Sequence, residues 1–259
     1  MPRLPALGDR LGGSPRIVLL DVDGTLSPIA PRPEDAVVPA ETRRAVASLA
    51  SRPGVHVGLV SGRAAADARR LVAVTNLWVI GNHGLETIGP AGEIDVDPAA
   101  EAHRMAVSKA SRRIASSLTH VPGVQLEDKV WTLSIHYRRA DPALVPRLRS
   151  MLEATATQHG LRLTEGKAVF EMRPPVSLDK GTAVLALTGR LGGLAAGSTV
   201  VFIGDDTTDE DAFRVLREQA PSAVTVCVAD GEAETAAEFR VPGPDAVREF
   251  LEWLGGRAR

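Results

Sequence analysis

Aspartate and serine side chains follow three apolar runs of the sequence, at the points where the runs end. The clusters are Asp21-Val22-Asp23-Gly24-Thr25 after Ile17–Leu20, Ser61-Gly62-Arg63 after Val55–Val60, and Gly204-Asp205-Asp206 after Thr199–Ile203. In an extended segment residues i and i+2 point the same way, so Asp21 and Asp23 would bring two carboxylates together. Like charges this close cannot all stay ionised unaided. The sequence therefore predicts that positive charge is bound at this place.

Magnesium is the cation that best suits these carboxylates. It prefers carboxylate and phosphate oxygens and keeps some of its waters. The sequence contains no His or Cys cluster that would suggest zinc. The predicted ligands are Asp21, Asp23, Asp205, Asp206 and Asp209, and the sequence leaves open which of the last three bind the ion directly.

A carboxylate neutralised by a cation can attack phosphorus as a nucleophile. It forms an aspartyl-phosphate and divides one hard hydrolysis into two easier steps. We assign this role to Asp21, and we assign Asp23 as the general acid and base, a role that typically contributes about 10²- to 10⁴-fold. The alternative for both residues is an Asx-turn that leaves a strand.

Three further side chains could bind a phosphoryl group. Ser61 opens a helical segment, where its hydroxyl can hold phosphoryl oxygens, and a plain helix N-cap is the alternative. Lys180 lies in the first turn of a predicted helix, where the helix dipole disfavours a cation unless an anion is near. We interpret Lys180 as a charge clamp on the phosphoryl group, with an exposed surface lysine as the alternative. Arg63 contacts either substrate or solvent.

Apolar, β-branched runs alternate with segments of helical periodicity, which is typical of βα units in a parallel sheet. The predicted strands are Ile17–Leu20, Val55–Val60, Leu77–Ile80, Thr199–Ile203 and Val224–Val228. The predicted helices are Pro39–Leu49, Ala64–Val72, Asp179–Leu191, Asp209–Arg217 and one that begins near Asp245. The pattern predicts an α/β fold with a Rossmann-like, doubly wound parallel sheet. Because the carboxyl ends of parallel strands share one edge, the polar clusters should meet there.

The middle of the chain has a different periodicity. Trp131–Arg138 and Lys167–Arg173 alternate apolar and polar residues, which indicates strands with one wet face. Ala99–Leu118 and Pro142–His159 indicate amphipathic helices beside them. We predict a catalytic core of residues 1–97 and 175–259, into which a smaller α/β cap domain of residues 98–174 is inserted.

The composition excludes several classes of partner. The 30 Lys and Arg residues nearly balance the 32 Asp and Glu residues, and aromatic residues are 3% of the chain. Nucleic acid needs a positive field and stacking platforms, so it is not expected. No apolar run has the length of a membrane span, and the first residues contain Pro, Gly and charge where a secretory signal would be apolar. We expect a cytoplasmic monomer that acts on a small molecule.

The clusters around Asp21, Ser61, Lys180 and Asp205 resemble, in order and context, the motifs of the haloacid dehalogenase-like (HAD) phosphatases. Three longer stretches are similar to the trehalose-6-phosphate phosphatases of that superfamily. They are LDVDGTLSPI at residues 20–29, VSGR at residues 60–63 and GDDTTDEDAF at residues 204–213. The resemblance implies magnesium-dependent release of phosphate from trehalose 6-phosphate, in which the core performs the chemistry and the cap selects the sugar.

In the cap, the resemblance extends to segments 127–129, 134–138 and 166–174. Carboxylates there can accept hydrogen bonds from sugar hydroxyls, and cations can donate to sugar oxygens, although a solvated strand face is the alternative. The predicted substrate-binding residues are Arg63, His83, Glu127, Lys129, Arg138, Lys167, Glu171 and Arg173. His83 follows a buried strand in a segment similar to the family's His-Gly element, and a structural turn is equally open for it.

Counting along the strands divides the cap residues between two faces. Lys167, Glu171 and Arg173 share one face of an extended segment. Glu127 has the opposite parity from His136 and Arg138, so a bulge is needed if all of them meet one ligand.

Two alternatives to this function stay open. Another enzyme of the superfamily, a phosphatase for sucrose phosphate or a glucosylglycerate phosphate or else a phosphomannomutase, would share the core chemistry. A non-enzymatic phosphoacceptor signalling domain also carries clustered Asp residues on a parallel sheet, but it would not need the middle insertion.

Overall fold

A computed structural model describes residues 7–8, 10–166, 168–220, 222–231 and 234–257. The strands are β1 (Arg16–Leu20), β2 (Val55–Val60), β3 (Trp78–Gly81), β4 (Glu86–Ile88), β5 (Ile94–Val96), β6 (Gln125–Asp128), β7 (Leu133–His136), β8 (Arg162–Gly166), β9 (Val169–Arg173), β10 (Thr199–Gly204), β11 (Val224–Val228) and β12 (Phe239–Val241). The α-helices are α1 (Ala40–Ala50), α2 (Ala65–Val72), α3 (Pro98–Leu118), α4 (Val145–His159), α5 (Lys180–Arg190), α6 (Asp209–Gln219) and α7 (Pro244–Arg257).

β1 lies inside the larger sheet, between β10 and β2. Within the described residues this sheet has eight strands in the order β12-β11-β10-β1-β2-β3-β4-β5. The pairs from β12 to β3 are all parallel, and β4 runs antiparallel to β3. The chain continues from β1 through β2 and β3 on one side and later through β10 and β11 on the other. Such a reversal of strand order leaves a crevice at the carboxyl ends of β1 and β10, where α/β proteins bind ligands.

Helices cover both faces of this sheet. Val18 and Leu20 of β1 face the apolar residues of α1, α2 and α7. Ile17 and Leu19, which alternate with them, face those of α5 and α6. The predicted α/β fold with a doubly wound sheet is confirmed. The short strands β4, β5 and β12 were not predicted, because three residues each are too few for a periodic signal.

The chain divides into two compact units, Met1–Asp95 with Leu178–Arg259 and Val96–Ser177. The second unit has its own antiparallel sheet, which in the described part of the chain has four strands in the order β6-β7-β9-β8. Alternate strand residues such as Leu133, Ile135 and Phe170 pack against α3 and α4. The opposite face of this sheet carries the polar positions Glu127, Ser134 and Glu171, which lie side by side on β6, β7 and β9.

The strand predicted over Trp131–Arg138 is shorter in the structure, where β7 spans Leu133–His136. The preceding residues form a hairpin turn in which Val130 has φ 72° and the Lys129 amide donates to the Thr132 carbonyl at 3.0 Å. Because the chain reverses there, parity cannot be counted across it. Cross-strand pairing places Gln125 opposite His136, which brings His136 to the face that carries Glu127. The prediction of a bulge is therefore wrong, because the hairpin turn already brings His136 and Glu127 to the same face.

No helix in the described part of the chain combines the length and the apolar character that crossing a membrane requires.

A capping box fixes the start of α5. The Asp179 carboxylate accepts a hydrogen bond from the Thr182 amide at 2.7 Å, and the Thr182 hydroxyl accepts one from the Asp179 amide at 3.1 Å. This reciprocal pair satisfies amide groups that the first helical turn leaves without partners. The cap holds the backbone immediately before Lys180, so it sets where that side chain emerges.

Replacing the capping carboxylate should destabilise the first unit. Asp179→Ala is expected to lower the free energy of unfolding by about 1 kcal/mol, because an amide of the first turn loses its acceptor. Asp179→Asn is the matched control and should keep most of that stability, since Asn caps helices as well as Asp does. Urea unfolding followed by circular dichroism measures both variants. Equal loss in the two would contradict the capping role.

Candidate active site

Three carboxylates from two parts of the chain converge at the carboxyl ends of β1 and β10. Asp21 follows β1, Asp205 follows β10, and Asp209 is the first residue of α6. Each offers an oxygen, and these oxygens lie within 4.8 Å of one another. The Asp21 amide donates to the Ile203 carbonyl at 2.9 Å, which continues the pairing of the two strands up to the acidic residues.

Lys180 lies among these carboxylates and is almost fully buried. Its Nζ donates to Asp21 Oδ1 at 2.7 Å and to Asp209 Oδ1 at 2.9 Å. Burial alone would lower the pKa of Lys180, but the charges of Asp209 and Asp21 outweigh it and raise the pKa. The lysine therefore stays charged, and the alternative of an exposed surface lysine is excluded.

Asp209 uses both carboxylate oxygens to hold its own chain. While Oδ1 accepts from Lys180, Oδ2 accepts from the backbone amides of Asp205 and Asp206, each at 3.0 Å. The residue is fully buried. Asp209 thereby folds the loop between β10 and α6, and this loop sets the position of Asp205.

Two oxygens of the cluster have no such partners. Asp21 Oδ2 and Asp205 Oδ1 are buried and accept no hydrogen bond from the described residues. Burial raises the pKa of Asp21 well above its usual range, although Lys180 opposes this. Burial, followed by the charges of Asp209 and Asp206, raises the pKa of Asp205 to about 7. Because one lysine cannot balance three carboxylates, the two oxygens fit a hard divalent cation.

Gly24 makes room for Asp205. It has φ 91°, and a Cβ built at Gly24 would lie 2.1 Å from Asp205 Oδ2. A side chain at this position would therefore push Asp205 away from Asp21, which explains the glycine that follows Asp23 in the first cluster.

The carboxylates of Asp206 and Asp23 lie outside the cluster of three. Asp206 is exposed, and its Oδ1 accepts from the amide and hydroxyl of Thr207 at 2.6 and 3.0 Å. The Asp23 oxygens accept from Arg63 Nε and Nη2 at 2.6 and 2.7 Å. The structure thus brings Asp21, Asp205 and Asp209 together but not the other two side chains that were predicted as ligands.

Ser61 is buried at the end of β2, and its Oγ accepts from the Arg63 amide at 3.1 Å. The alternative of a helix N-cap is excluded, because α2 begins at Ala65 and its N-cap is Ala64. The Arg63 side chain contacts Asp23 and also donates to the Pro33 carbonyl at 3.0 Å. It is therefore not a plain solvent-facing side chain.

Two residues that the sequence did not identify support this loop. The Asn82 amide donates to the Arg63 carbonyl at 2.7 Å, and its side chain donates to Glu86 Oε1 at 2.7 Å. The same Glu86 oxygen accepts from the Ala65 amide at 2.8 Å. His83 has φ 56°, and its amide donates to the Ser61 carbonyl at 3.1 Å, so its backbone makes a structural turn. A polar residue directly after a buried strand was the signal for Asn82.

In the second unit, polar side chains are connected on the face that α3 and α4 leave open. His136 Nε2 and Glu127 Oε2 lie 2.8 Å apart, and the Ser134 hydroxyl donates to Glu171 Oε1 at 3.4 Å. The buried Lys129 ammonium lies 3.8 Å from the same Glu171 oxygen. These contacts give the two carboxylates fixed orientations on one surface.

The other predicted cap residues are placed differently. Arg173 ends β9 on the same side of the strand as Glu171, and it is half-buried. Arg138 lies in an exposed turn after β7. Lys167 lies outside the described residues.

Comparisons with known proteins agree with this fold and arrangement. A trehalose-phosphate phosphatase of Mycobacterium avium is 35% identical over 250 residues, which are 95% of this chain and 63% of that protein. An uncharacterized glycosyl hydrolase of Mycobacterium tuberculosis is 36% identical over 247 residues, which are 94% of this chain but 18% of that protein. The chain thus spans less than two thirds of the length of these relatives.

The solved structures match this chain over nearly the full length of both chains. The crystal structure of a trehalose-6-phosphate phosphatase related protein has a TM-score of 0.82 and 26% identity, covering 93% of this chain and 97% of the other. A haloacid dehalogenase-like hydrolase from Bacteroides thetaiotaomicron, 16% identical, shares the fold with a TM-score of 0.62 over 92% and 99% of the two chains.

The family described as trehalose-phosphatase matches residues 19–245, which contain every cluster described above. The chain belongs to the trehalose-phosphatase family.

Proposed function

We propose that this chain is a phosphatase that hydrolyses trehalose 6-phosphate with Asp21 as the nucleophile. The observation that carries the proposal is the buried contact of Lys180 with Asp21, next to Asp205, at the carboxyl edge of the sheet. Family membership and the names of relatives that match most of this chain support the sugar phosphate as the substrate.

Asp21 and Asp205 would hold the metal ion, and we propose Mg²⁺. Each contributes a buried oxygen that accepts no hydrogen bond from the described residues. Hard carboxylate oxygens are the ligands that this ion prefers. When bound, the ion supplies positive charge for the phosphoryl oxygens. Asp209 supports the site by holding the loop that carries Asp205.

The residues of the chain perform the transfer in two steps. Asp21 forms a bond to phosphorus while the bond from phosphorus to the sugar oxygen breaks, and Asp23 gives that oxygen its proton. A water oxygen then bonds to phosphorus as the bond from phosphorus to Asp21 breaks, which releases phosphate, and Asp23 takes a proton from that water. Lys180 places a fixed charge beside the phosphoryl group throughout. The Ser61 oxygen accepts a hydrogen bond from the Arg63 amide. The Ser61 hydroxyl can therefore donate its own hydrogen to a phosphoryl oxygen.

We assign sugar recognition to the polar face of the second unit's sheet, opposite α3 and α4. Glu127 and Glu171 present carboxylates that accept hydrogen bonds from hydroxyl groups. His136 holds the Glu127 carboxylate in place, and Ser134 holds that of Glu171. Sugar binding therefore does not have to include the entropic cost of ordering either side chain. Among the other predicted residues, we assign Lys129 and Arg173 to the same surface and Arg138 to its surroundings, and the substrate contact of Lys167 stays a prediction. The cytoplasmic location and the monomeric state stay predictions.

Removing the nucleophile should abolish turnover without unfolding the protein. Asp21→Asn is expected to lower kcat by at least about 10³-fold, because no covalent intermediate can form. Phosphate release from trehalose 6-phosphate and glucose 6-phosphate, with and without a chelator, measures this. Comparable rates of the wild type on both sugars would contradict the proposed substrate. A single phosphorylation without turnover would favour a phosphoacceptor domain.

Metal binding can be tested without activity. Without divalent cations, Asp205→Asn should be at least as stable as the wild type, because the variant lacks one of several repelling charges. Mg²⁺ at 100 times its Kd should raise the free energy of unfolding of the wild type by about 2.7 kcal/mol, which is measured as a higher melting temperature. The melting temperature of the variant should not rise. Asp206→Asn is the matched control and should respond as the wild type does. Stabilisation of the Asp205 variant equal to that of the wild type would contradict the site.

Sugar recognition can be tested with two glutamates on opposite faces of the same sheet. Glu171→Gln removes a charged acceptor from the polar face opposite α3 and α4, and kcat/KM for trehalose 6-phosphate should fall about 10- to 100-fold. The rate with p-nitrophenyl phosphate, which has no sugar, should stay within about twofold. Glu165→Gln is the control, because Glu165 pairs with Phe170 on the helix-covered face and bonds Tyr137. Equal losses on both substrates would contradict a role in binding the sugar.

A further inference from the structure

The Arg63 guanidinium holds the Asp23 carboxylate at two points. Nε donates to Asp23 Oδ2 at 2.6 Å, and Nη2 donates to Asp23 Oδ1 at 2.7 Å. The Arg63 side chain is 15% exposed and that of Asp23 is 38% exposed, so the arginine is the inner partner. Two parallel bonds from a planar donor fix the plane of the carboxylate as well as its position.

Arg63 is itself anchored at both ends. Its amide donates to Ser61 Oγ at 3.1 Å, and its carbonyl accepts from the Asn82 amide at 2.7 Å. At the tip, Nη2 also donates to the Pro33 carbonyl at 3.0 Å. The backbone of Arg63 is thus fixed in the loop, and its guanidinium is bonded to both Asp23 and Pro33, which suits it to hold Asp23 in place. Turning the guanidinium toward a phosphoryl group would break its bonds to Asp23 and Pro33.

We propose that Arg63 is a positioning residue that orients Asp23 for proton transfer, and not a ligand of the phosphoryl group. The inference rests on the proposed phosphatase function, and it replaces the substrate contact predicted for Arg63 from sequence.

Orientation matters because Asp23 has to reach two different oxygens in turn. In the first step, its carboxyl proton passes to the sugar oxygen as that oxygen leaves phosphorus and Asp21 bonds to phosphorus. In the second, the Asp23 carboxylate takes a proton from water as the water oxygen bonds to phosphorus and Asp21 leaves. The proton lost in the first step is regained in the second. Each transfer requires an Asp23 oxygen at hydrogen-bond distance and in line with its target.

The leaving group separates a positioning role from a phosphoryl-binding role. A sugar alkoxide is a poor leaving group and depends on the proton from Asp23. p-Nitrophenolate is a stabilised anion and departs with little protonation. In the first step, a residue that acts through Asp23 therefore affects sugar phosphates selectively, whereas a ligand of the phosphoryl group affects both substrates alike.

The experiment compares Arg63→Met and Arg63→Lys with the wild type on a sugar 6-phosphate and on p-nitrophenyl phosphate. For Arg63→Met, kcat/KM for the sugar phosphate should fall about 10²-fold, and kcat/KM for the aryl phosphate should fall less than about threefold. The comparison uses kcat/KM because this ratio reports the steps up to the departure of the leaving group and not the later hydrolysis of the aspartyl-phosphate, which both substrates share. Inhibition by inorganic phosphate should be unchanged. Arg63→Lys keeps the charge but not the two-point contact, so it should show the same selective loss and serves as the test if Arg63→Met does not fold. Equal losses on both substrates with weaker phosphate inhibition would overturn the proposal.

Arg32 provides a matched control. It makes the same two-point contact with Asp35, at 2.6 and 2.7 Å, on an exposed part of the chain. Arg32→Met should leave both rates unchanged.

A double variant tests the connection to Asp23 directly. If Arg63 acts through Asp23, then Asp23→Asn with Arg63→Met should be no slower on the sugar phosphate than Asp23→Asn alone. Losses that multiply would overturn the proposal. The sugar phosphate used is whichever one the wild type hydrolyses, so an error in the proposed sugar leaves this comparison intact. A wild type that hydrolyses neither class of phosphate would instead refute the proposed function.

Discussion

The buried ammonium of Lys180 is the charge on which the candidate site depends. An ion removed from water is tolerated only when its partners are close and well oriented, and Lys180 has two such partners in Asp21 and Asp209. Asp21 directly follows β1, Asp209 begins α6, and the lysine itself begins α5. The contact therefore links the start of the chain to two helices near its other end. It also leaves a net negative charge, because Asp205 joins the same group and no second cation among the described residues is hydrogen-bonded to it.

The three carboxylates differ in how many hydrogen bonds they accept, and this difference assigns a role to each of them. Asp209 has hydrogen bonds to both oxygens, so it acts as part of the scaffold. Asp21 and Asp205 each keep a buried oxygen that no described residue donates to. The raised pKa of Asp205, about 7, has the same origin in burial and in neighbouring negative charge. A divalent ion would remove this imbalance, and the lysine cannot do so alone.

The sequence predicted the sheet and the edge where the polar clusters meet, because both follow from periodicity. Apolar, β-branched runs identify buried strands wherever they occur, and parallel strands share one carboxyl edge, which places Asp21 near Asp205. Side-chain pairs between distant residues leave no such periodic trace. The contact of Arg63 with Asp23, 40 residues apart, is set by loop geometry that no local pattern encodes. The parity count failed for His136 for a related reason, since Val130 turns the chain and restarts the alternation.

The loop of Ser61, Gly62 and Arg63 shows how the edge of the sheet works as one unit. A Cβ at Gly62 would lie 2.5 Å from the His83 ring, so the loop fits tightly against the turn that follows β3. Asn82 bonds the backbone of the same loop, and Arg63 extends from it to Asp23. Through these contacts the turn after β3 supports the loop after β2, and that loop supports the residue that follows β1. The position of Asp23 therefore depends on the ends of three neighbouring strands. A substitution in the turn that contains Asn82 would change the position of Asp23 without any direct contact between the two.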